Sequence, residues 1–147
     1  MRRILALAIV VFSITAGVPV WADEPAITVY KSPTCGCCKK WVTHLEDNGF
    51  DVEAKNVRNV APIKDENGVP RRMRSCHTAV VGGYVVEGHV PASDIKRMLK
   101  EQPNIRGLAV PGMPVGSPGM EQGSRKDPYP VVAFDKKGNL AVYNRYE

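Results

Sequence analysis

Three of the four cysteines of this chain fall within four residues, at Cys35, Cys37 and Cys38. Cysteine thiolates act as nucleophiles, disulfide partners and metal ligands, so chemistry is expected at this cluster. Cys35 and Cys38 have the C-x-x-C spacing of redox-active disulfides. The additional Cys37 has no place in a simple C-x-x-C motif, which predicts a separate use for this thiol.

Cys37 and Cys38 are neighbours, and neighbours on an α-helix project about 100° apart because the helix has 3.6 residues per turn. The two thiols are therefore poorly placed to chelate one tetrahedral metal ion together. They suit bridging between two or more metals, or a division into one redox pair and one spare ligand. Two ordinary disulfides are the simpler alternative, although adjacent thiols make strained disulfide partners.

The cysteines lie between a predicted strand and a predicted helix. Residues 26–31 alternate and are rich in β-branched side chains, and helical spacing then runs from Gly36 to the Asn48-Gly49 stop. Amide groups and the dipole of the first helical turn stabilise negative charge, and Lys39 and Lys40 add positive charge. Both effects lower a thiol pKa, so we expect thiolate-forming cysteines.

The element order predicts an α/β thioredoxin-like fold with a β-α-β-β-β-α core over residues 23–103. Residues 104–147 are predicted to form an extension, a Gly/Pro/Met loop followed by a β-hairpin, that packs on the same domain. After the first helix we expect a strand over residues 50–57, a short helix or loop over 61–68, strands over 77–81 and 84–87, a helix from 91 to before 103, and a hairpin of strands over 130–134 and 140–143.

Other soft ligands converge on the same end of this predicted fold. Cys76 precedes the third strand, whose start should lie beside the helix N-terminus, and His89 ends the fourth strand. Met113 and Met120 lie on the irregular Gly/Pro-rich segment 107–123, which can be either a linker or a loop that folds over the site. Thiolate and thioether ligands favour Cu(I), although zinc also binds four thiolates and both methionines can instead be core residues.

Two further histidines are weaker candidates for ligation. His77 follows Cys76 and should point to the opposite face of a regular strand, which favours a supporting or structural role, although an irregularity in the strand would reverse this. His44 shares a helix face with Cys37 but lies two turns along, which favours an amphipathic surface residue.

The first 22 residues have the layout of a cleaved secretory signal: two arginines, an apolar run over residues 4–14, and small residues before Asp23. Cleavage leaves 125 residues and removes two arginines, so the net charge falls from +5 to +3. We expect a monomer in an oxidising periplasm, without membrane attachment after cleavage. The sequence has no basic stripe with interleaved aromatics, no hydrolase triad order and no phosphate-binding glycine motif, so nucleic-acid, hydrolase and nucleotide-binding functions lack support.

Taken together, these motifs resemble the exported CopG-like copper-resistance proteins, a family once catalogued only as a domain of unknown function. The resemblance rests on segments across the mature chain: Thr34-Cys-Gly-Cys-Cys-Lys39, residues 75–84, Glu87-Gly-His-Val-Pro91 and residues 112–120. It implies a thioredoxin-like domain with a metal-binding C-terminal extension, a cysteine-bridged copper cluster and a role in copper redox handling. It implies metal ligation by the four cysteines and by Met113 and Met120; ligation by His89 rests on its predicted position alone.

Three functions follow as hypotheses. The first is a periplasmic copper-binding protein that holds several copper ions, interconverts Cu(I) and Cu(II), and passes copper to efflux or copper-handling proteins. The second is a thiol-disulfide oxidoreductase with Cys35 and Cys38 as its catalytic pair. The third is a copper carrier without catalysis.

Overall fold

The computed structural model describes residues 25–147, so the predicted signal over residues 1–22 lies outside the described residues. The helices are α1 (Gly36–Asp47), α2 (Ala61–Glu66) and α3 (Ala92–Glu101), with one 3-10 turn at Arg71–Met73. The strands are β1 (Ile27–Lys31), β2 (Val52–Asn56), β3 (His77–Val81), β4 (Tyr84–Glu87), β5 (Gly107–Ala109), β6 (Tyr129–Phe134) and β7 (Leu140–Tyr146).

All seven strands belong to one sheet in the order β2-β1-β3-β4-β5-β6-β7. The pairs β1–β2 and β4–β5 are parallel, and the other neighbours are antiparallel. The order β2-β1-β3-β4, with helices following β1 and β4, is the thioredoxin-like arrangement that the sequence predicted. The predicted C-terminal hairpin is also confirmed, as β6 and β7 at one edge of the sheet.

The sheet forms a middle layer with apolar residues buried on both faces. On one face Trp41 and Leu45 of α1 and Ile95 and Met98 of α3 are fully buried against the strands. Burial of a side chain of this size contributes about 2 kcal/mol, and this face holds the larger of the two apolar clusters. A smaller cluster that includes Phe134 lies on the other face. Within residues 25–147, no helix combines the length and apolar character that crossing a bilayer requires.

The short strand β5 is an element that sequence analysis missed, because it placed residues 107–109 in the irregular segment. A Cβ atom at Gly107 would lie 1.9 Å from the Val85 carbonyl oxygen, so only glycine permits this close pairing with β4. Three residues flanked by turns show no measurable alternation. The strand therefore forms through its neighbours in the sheet rather than through local propensity.

The side chain of His44 links α1 to the start of α3. Its Nε2 atom accepts a hydrogen bond from the Ala92 backbone N–H at 3.1 Å, and the Pro91 N-cap has no side-chain acceptor of its own to offer. The sequence predicted only an amphipathic surface residue here. Burial lowers the pKa of His44 below its ordinary value, which keeps the imidazole neutral and able to accept this bond.

His44→Ala is therefore predicted to destabilise the protein by about 1 kcal/mol at pH 8, the usual effect of losing a helix cap. The pKa of His44 is lower in the folded protein than in the unfolded chain, so the unfolded chain takes up the proton first as the pH falls below about 6.5. The stabilisation by the cap is therefore lost as the pH falls toward the pKa of the folded state. Urea unfolding at pH 8 and pH 5 should show the difference between wild type and variant shrinking at pH 5. The exposed neighbour variant Thr43→Ala is the control, and an equal His44→Ala effect at both pH values would contradict the cap.

Candidate metal centre

The C-x-C-C segment forms the first turn of α1 and its N-cap. Cys35 is the N-cap residue, and its Sγ atom accepts a hydrogen bond from the Cys38 backbone N–H at 3.3 Å. Cys35 and Cys38 are joined by a disulfide, while Cys37 is a free thiol. Cys38 is fully buried whereas Cys37 is partly exposed, as the divergent directions of adjacent helical residues predict.

Cys76 reaches the same place from the neighbouring strand β3. β3 runs antiparallel to β1 with His77 opposite Lys31, so the residue before β3 lies next to the start of α1. The Sγ atom of Cys37 is 3.5 Å from that of Cys35 and 3.9 Å from that of Cys76. All four Sγ atoms lie within 4.8 Å of one another, so the predicted four-cysteine cluster exists.

A second group of donors shares Cys76 with the first. The Sγ atom of Cys76 lies 3.4 Å from His77 Nδ1 and 3.4 Å from His89 Nε2, and the three atoms lie within 4.8 Å of one another. His89 Nδ1 donates a hydrogen bond to the Pro118 carbonyl at 2.8 Å. Since Nδ1 carries the proton, Nε2 presents its lone pair to the site, which is the tautomer a ligand requires.

His77 lies beside Cys76 and not across the sheet from it, contrary to the expectation from strand alternation. Cys76 is in a bend that precedes β3, so the two-residue period does not yet apply to it. The imidazole of His77 is fully buried, with its ring centroid 4.3 Å from that of Trp41 and 5.0 Å from that of His89. Burial, with the nearby His89 and Lys64, lowers the pKa of His77 well below its ordinary value and keeps the ring neutral.

The thiol of Cys76 is held in its protonated form when no metal is present. Burial, followed by the neighbouring Cys37, raises its pKa to about 11. A thiol of this kind is a weak nucleophile at neutral pH. A bound cation would replace the proton, so metal binding here releases a proton and is favoured at higher pH.

The buried carboxylate of Glu87 fixes the backbone next to Cys76. It accepts a hydrogen bond from the Ser75 backbone N–H and a second from the Thr78 hydroxyl at 2.7 Å. It also forms an ion pair with Lys64 Nζ at 2.6 Å. The next residue, Gly88, has a φ of +71°, and a Cβ atom there would lie 2.9 Å from the Ser75 Cβ. This network was not predictable from the sequence, because Lys64 and Glu87 lie on separate elements with no shared spacing.

The irregular segment after β5 covers the site, as one of the two interpretations of its sequence predicted. Its Pro118 carbonyl orients His89, and a Cβ atom at Gly119 would lie 2.8 Å from both the Cys37 carbonyl oxygen and the Trp41 nitrogen. This contact requires glycine and seats the segment on the first turn of α1.

The two methionines of this segment differ in position. Met120 lines a cavity of about 300 Å³ together with Gly36, Cys37 and Lys40 at the start of α1. Met113 has a left-handed backbone with φ of 48° and a side chain that is 42% exposed. The structure thus places Met120 at a cavity that Cys37 also lines, while a ligand role for either methionine stays a prediction.

Comparison with known proteins gives consistent matches. The family described as "Protein of unknown function, DUF411" matches residues 73–120, which include Cys76, His89 and both methionines of the covering segment. No curated protein matches the chain significantly by sequence.

Two solved structures are similar over nearly their whole length. A structure described as copper resistance protein CopG, form 2, is 48% identical with a TM-score of 0.80, covering 84% of this chain and 99% of that chain. Form 1 is 49% identical with a TM-score of 0.79, covering 84% and 98% of the two chains. The resemblance seen in the sequence motifs is thereby confirmed: the chain belongs to the family of the CopG copper resistance proteins.

Proposed function

We propose that this protein binds copper and contributes to copper resistance by holding several copper ions in a cysteine-bridged site. The observation that carries the proposal is the overlap of two donor groups, four sulfurs and one S/N/N set, at the single residue Cys76. A thiolate has lone pairs enough to bridge two metal ions. A residue common to two groups is therefore the natural bridge between them.

The chemistry of the donors fits copper better than harder ions. Four cysteine sulfurs, two neutral imidazoles and the Met120 thioether form a soft set, and soft ligands select Cu(I). The Nδ1 atom of His77 is the ring nitrogen that lies against Cys76 Sγ, while its Nε2 atom is buried without a hydrogen-bond partner among the described residues. Zinc is satisfied by four cysteine or histidine ligands, and this set exceeds what one tetrahedral ion takes.

The chain's own residues prepare the site in three ways. The Pro118 carbonyl fixes the His89 tautomer, the Glu87 carboxylate fixes the backbone before Cys76, and Gly119 allows the covering segment to pack on the first turn of α1. Copper, when bound, would supply the interconversion of Cu(I) and Cu(II) that a redox role in copper resistance requires.

The number of metal ions that the site can hold depends on whether Cys35 and Cys38 are joined by their disulfide or reduced to thiols. Reduction of this disulfide takes up two electrons and two protons and provides two further sulfur ligands.

An exported protein meets an oxidising compartment, where cysteines become disulfides or bind metal. We infer that the protein works as a monomer in the periplasm, after cleavage of residues 1–22, and exchanges copper with efflux or copper-handling proteins.

The reduced protein should bind more than a single Cu(I) ion per chain, because its donors exceed the ligand number of one ion. Anaerobic loading followed by metal and protein analysis measures the ratio. Cys37→Ser and Cys76→Ser should each lower it, whereas the exposed control Thr43→Ala should not. Protein with the Cys35–Cys38 disulfide intact should bind fewer ions. One ion or none, unchanged in Cys37→Ser, would refute a shared site.

Met120→Leu should weaken Cu(I) binding by about tenfold or more, the typical effect of removing a group from a metal's surroundings. Competition with a chromogenic Cu(I) chelator measures the affinity. Met113→Leu is the matched variant, and it also tests the prediction that Met113 is a ligand. If Met120→Leu binds Cu(I) as tightly as wild type, the covering segment contributes no thioether ligand.

A second candidate function is thiol-disulfide oxidoreduction by Cys35 and Cys38, which is favoured by their disulfide at the start of α1. This candidate predicts that the protein catalyses insulin reduction by dithiothreitol. Cys38→Ser should abolish turnover, and Cys37→Ser, which leaves the pair intact, should retain it. Absence of turnover in the metal-free wild type would eliminate this function.

A protein that acts only as a copper carrier would instead transfer copper to a partner without any change in the oxidation state of the metal.

A further inference from the structure

A cavity of about 400 Å³ lies on the side of α1 that faces β1 and β2, apart from the donor groups described above. Lys31 and Asn56, at the C-terminal ends of the two strands, and Pro33 and Lys39, on either side of the C-x-C-C segment, line one end of it. Ala54, Thr43 and Glu46 line it farther along β2 and α1. The volume is in the range of small-molecule sites.

Lys31 is a buried cation without a counter-ion. Its residue is only 7% exposed, and its Nζ atom donates to two neutral acceptors, Asn56 Oδ1 at 2.9 Å and the Ser32 carbonyl at 3.4 Å. None of the ion pairs among residues 25–147 includes Lys31. An ammonium group has three N–H donors, so one remains for a further acceptor. Burial of an unpaired charge is costly, and an anion bound in the cavity would offset that cost.

Positively and negatively charged side chains lie at opposite ends of the cavity. Lys39 and Glu46 are seven residues apart on α1, which corresponds to about 10 Å at 1.5 Å per residue. Positive charge therefore marks the end beside the cysteines, and the Glu46 carboxylate marks the other end. An extended tripeptide spans about 10 Å from its ammonium to its carboxylate.

We propose that this cavity is a binding site for a short zwitterionic peptide. Its carboxylate lies on Lys31, with Asn56 and Lys39 beside it, and its ammonium group is directed toward Glu46. The exposed backbone of β2 offers further hydrogen-bond partners, since this strand is at the edge of the sheet. The proposal does not rest on copper binding, because none of the residues that line this cavity belongs to the two donor groups.

The test titrates metal-free protein, its Cys35–Cys38 disulfide intact, with triglycine at constant ionic strength. The signals followed by NMR are the backbone amides of β1 and β2 and the Asn56 side-chain amide. Saturable shifts confined to this cavity are expected. Lys31→Met should weaken binding by about tenfold or more, because a hydrogen bond to a charged group is lost. The exposed Glu46 contributes less, so Glu46→Gln should weaken binding about threefold. Lys136→Met, in the distant turn before β7, should bind as wild type does.

Two modified ligands test the same contacts on the unaltered protein, in case Lys31→Met does not fold. Triglycine amide lacks the carboxylate and should not bind, and N-acetyl-triglycine lacks the ammonium and should bind about threefold more weakly. Binding of the amide equal to that of triglycine would overturn the proposal. Shifts that do not saturate, or an unchanged affinity in folded Lys31→Met, would also overturn it. Equal affinity for the acetylated peptide would overturn it as well, because the cavity would then bind simple carboxylates and not zwitterions.

Discussion

The carboxylate of Glu87 is fully buried at the end of β4, and the geometry of the sulfur cluster depends on it. It joins Lys64 of α2, the Thr78 hydroxyl of β3 and the Ser75 backbone N–H in one network. Removal of either charge would leave the other buried and unpaired, which costs several kcal/mol. Because Ser75 precedes Cys76, the network sets where the shared thiolate stands. Gly88 and His89 follow Glu87 directly, so one turn of chain both anchors Cys76 and supplies an imidazole to it.

The sequence predicted the parts of the fold that local chemistry specifies. Strands β3 and β4 have the predicted bounds because β-branched residues surround a Gly-Gly turn, and α1 has helical spacing from Gly36 and the Asn48-Gly49 stop. Strand β5 was missed because its three residues pair only after the chain has folded around them. The four-cysteine cluster was predictable, since strand order alone brings Cys76 to the start of α1.

Other parts of the site depend on relations that spacing does not contain. The expectation for His77 from a regular strand was wrong, because Cys76 lies in a bend outside the alternation of β3. The ion pair of Lys64 and Glu87 joins α2 to β4, which come together only in the folded protein. Likewise, the cap that His44 provides for α3 and the buried charge of Lys31 become visible only when burial and hydrogen-bond partners are known.

The start of α1 is thus approached from two sides: by the covering segment with Met120 on one, and by the Lys31 cavity on the other. The central claim is that Cys76 is a bridge between two metal-binding groups, and X-ray absorption at the copper edge of the Cu(I)-loaded protein tests it most directly. We predict copper–sulfur and copper–nitrogen scattering together with a copper–copper path that disappears in Cys76→Ser. Spectra without any copper–copper path in the fully loaded wild type would contradict the claim.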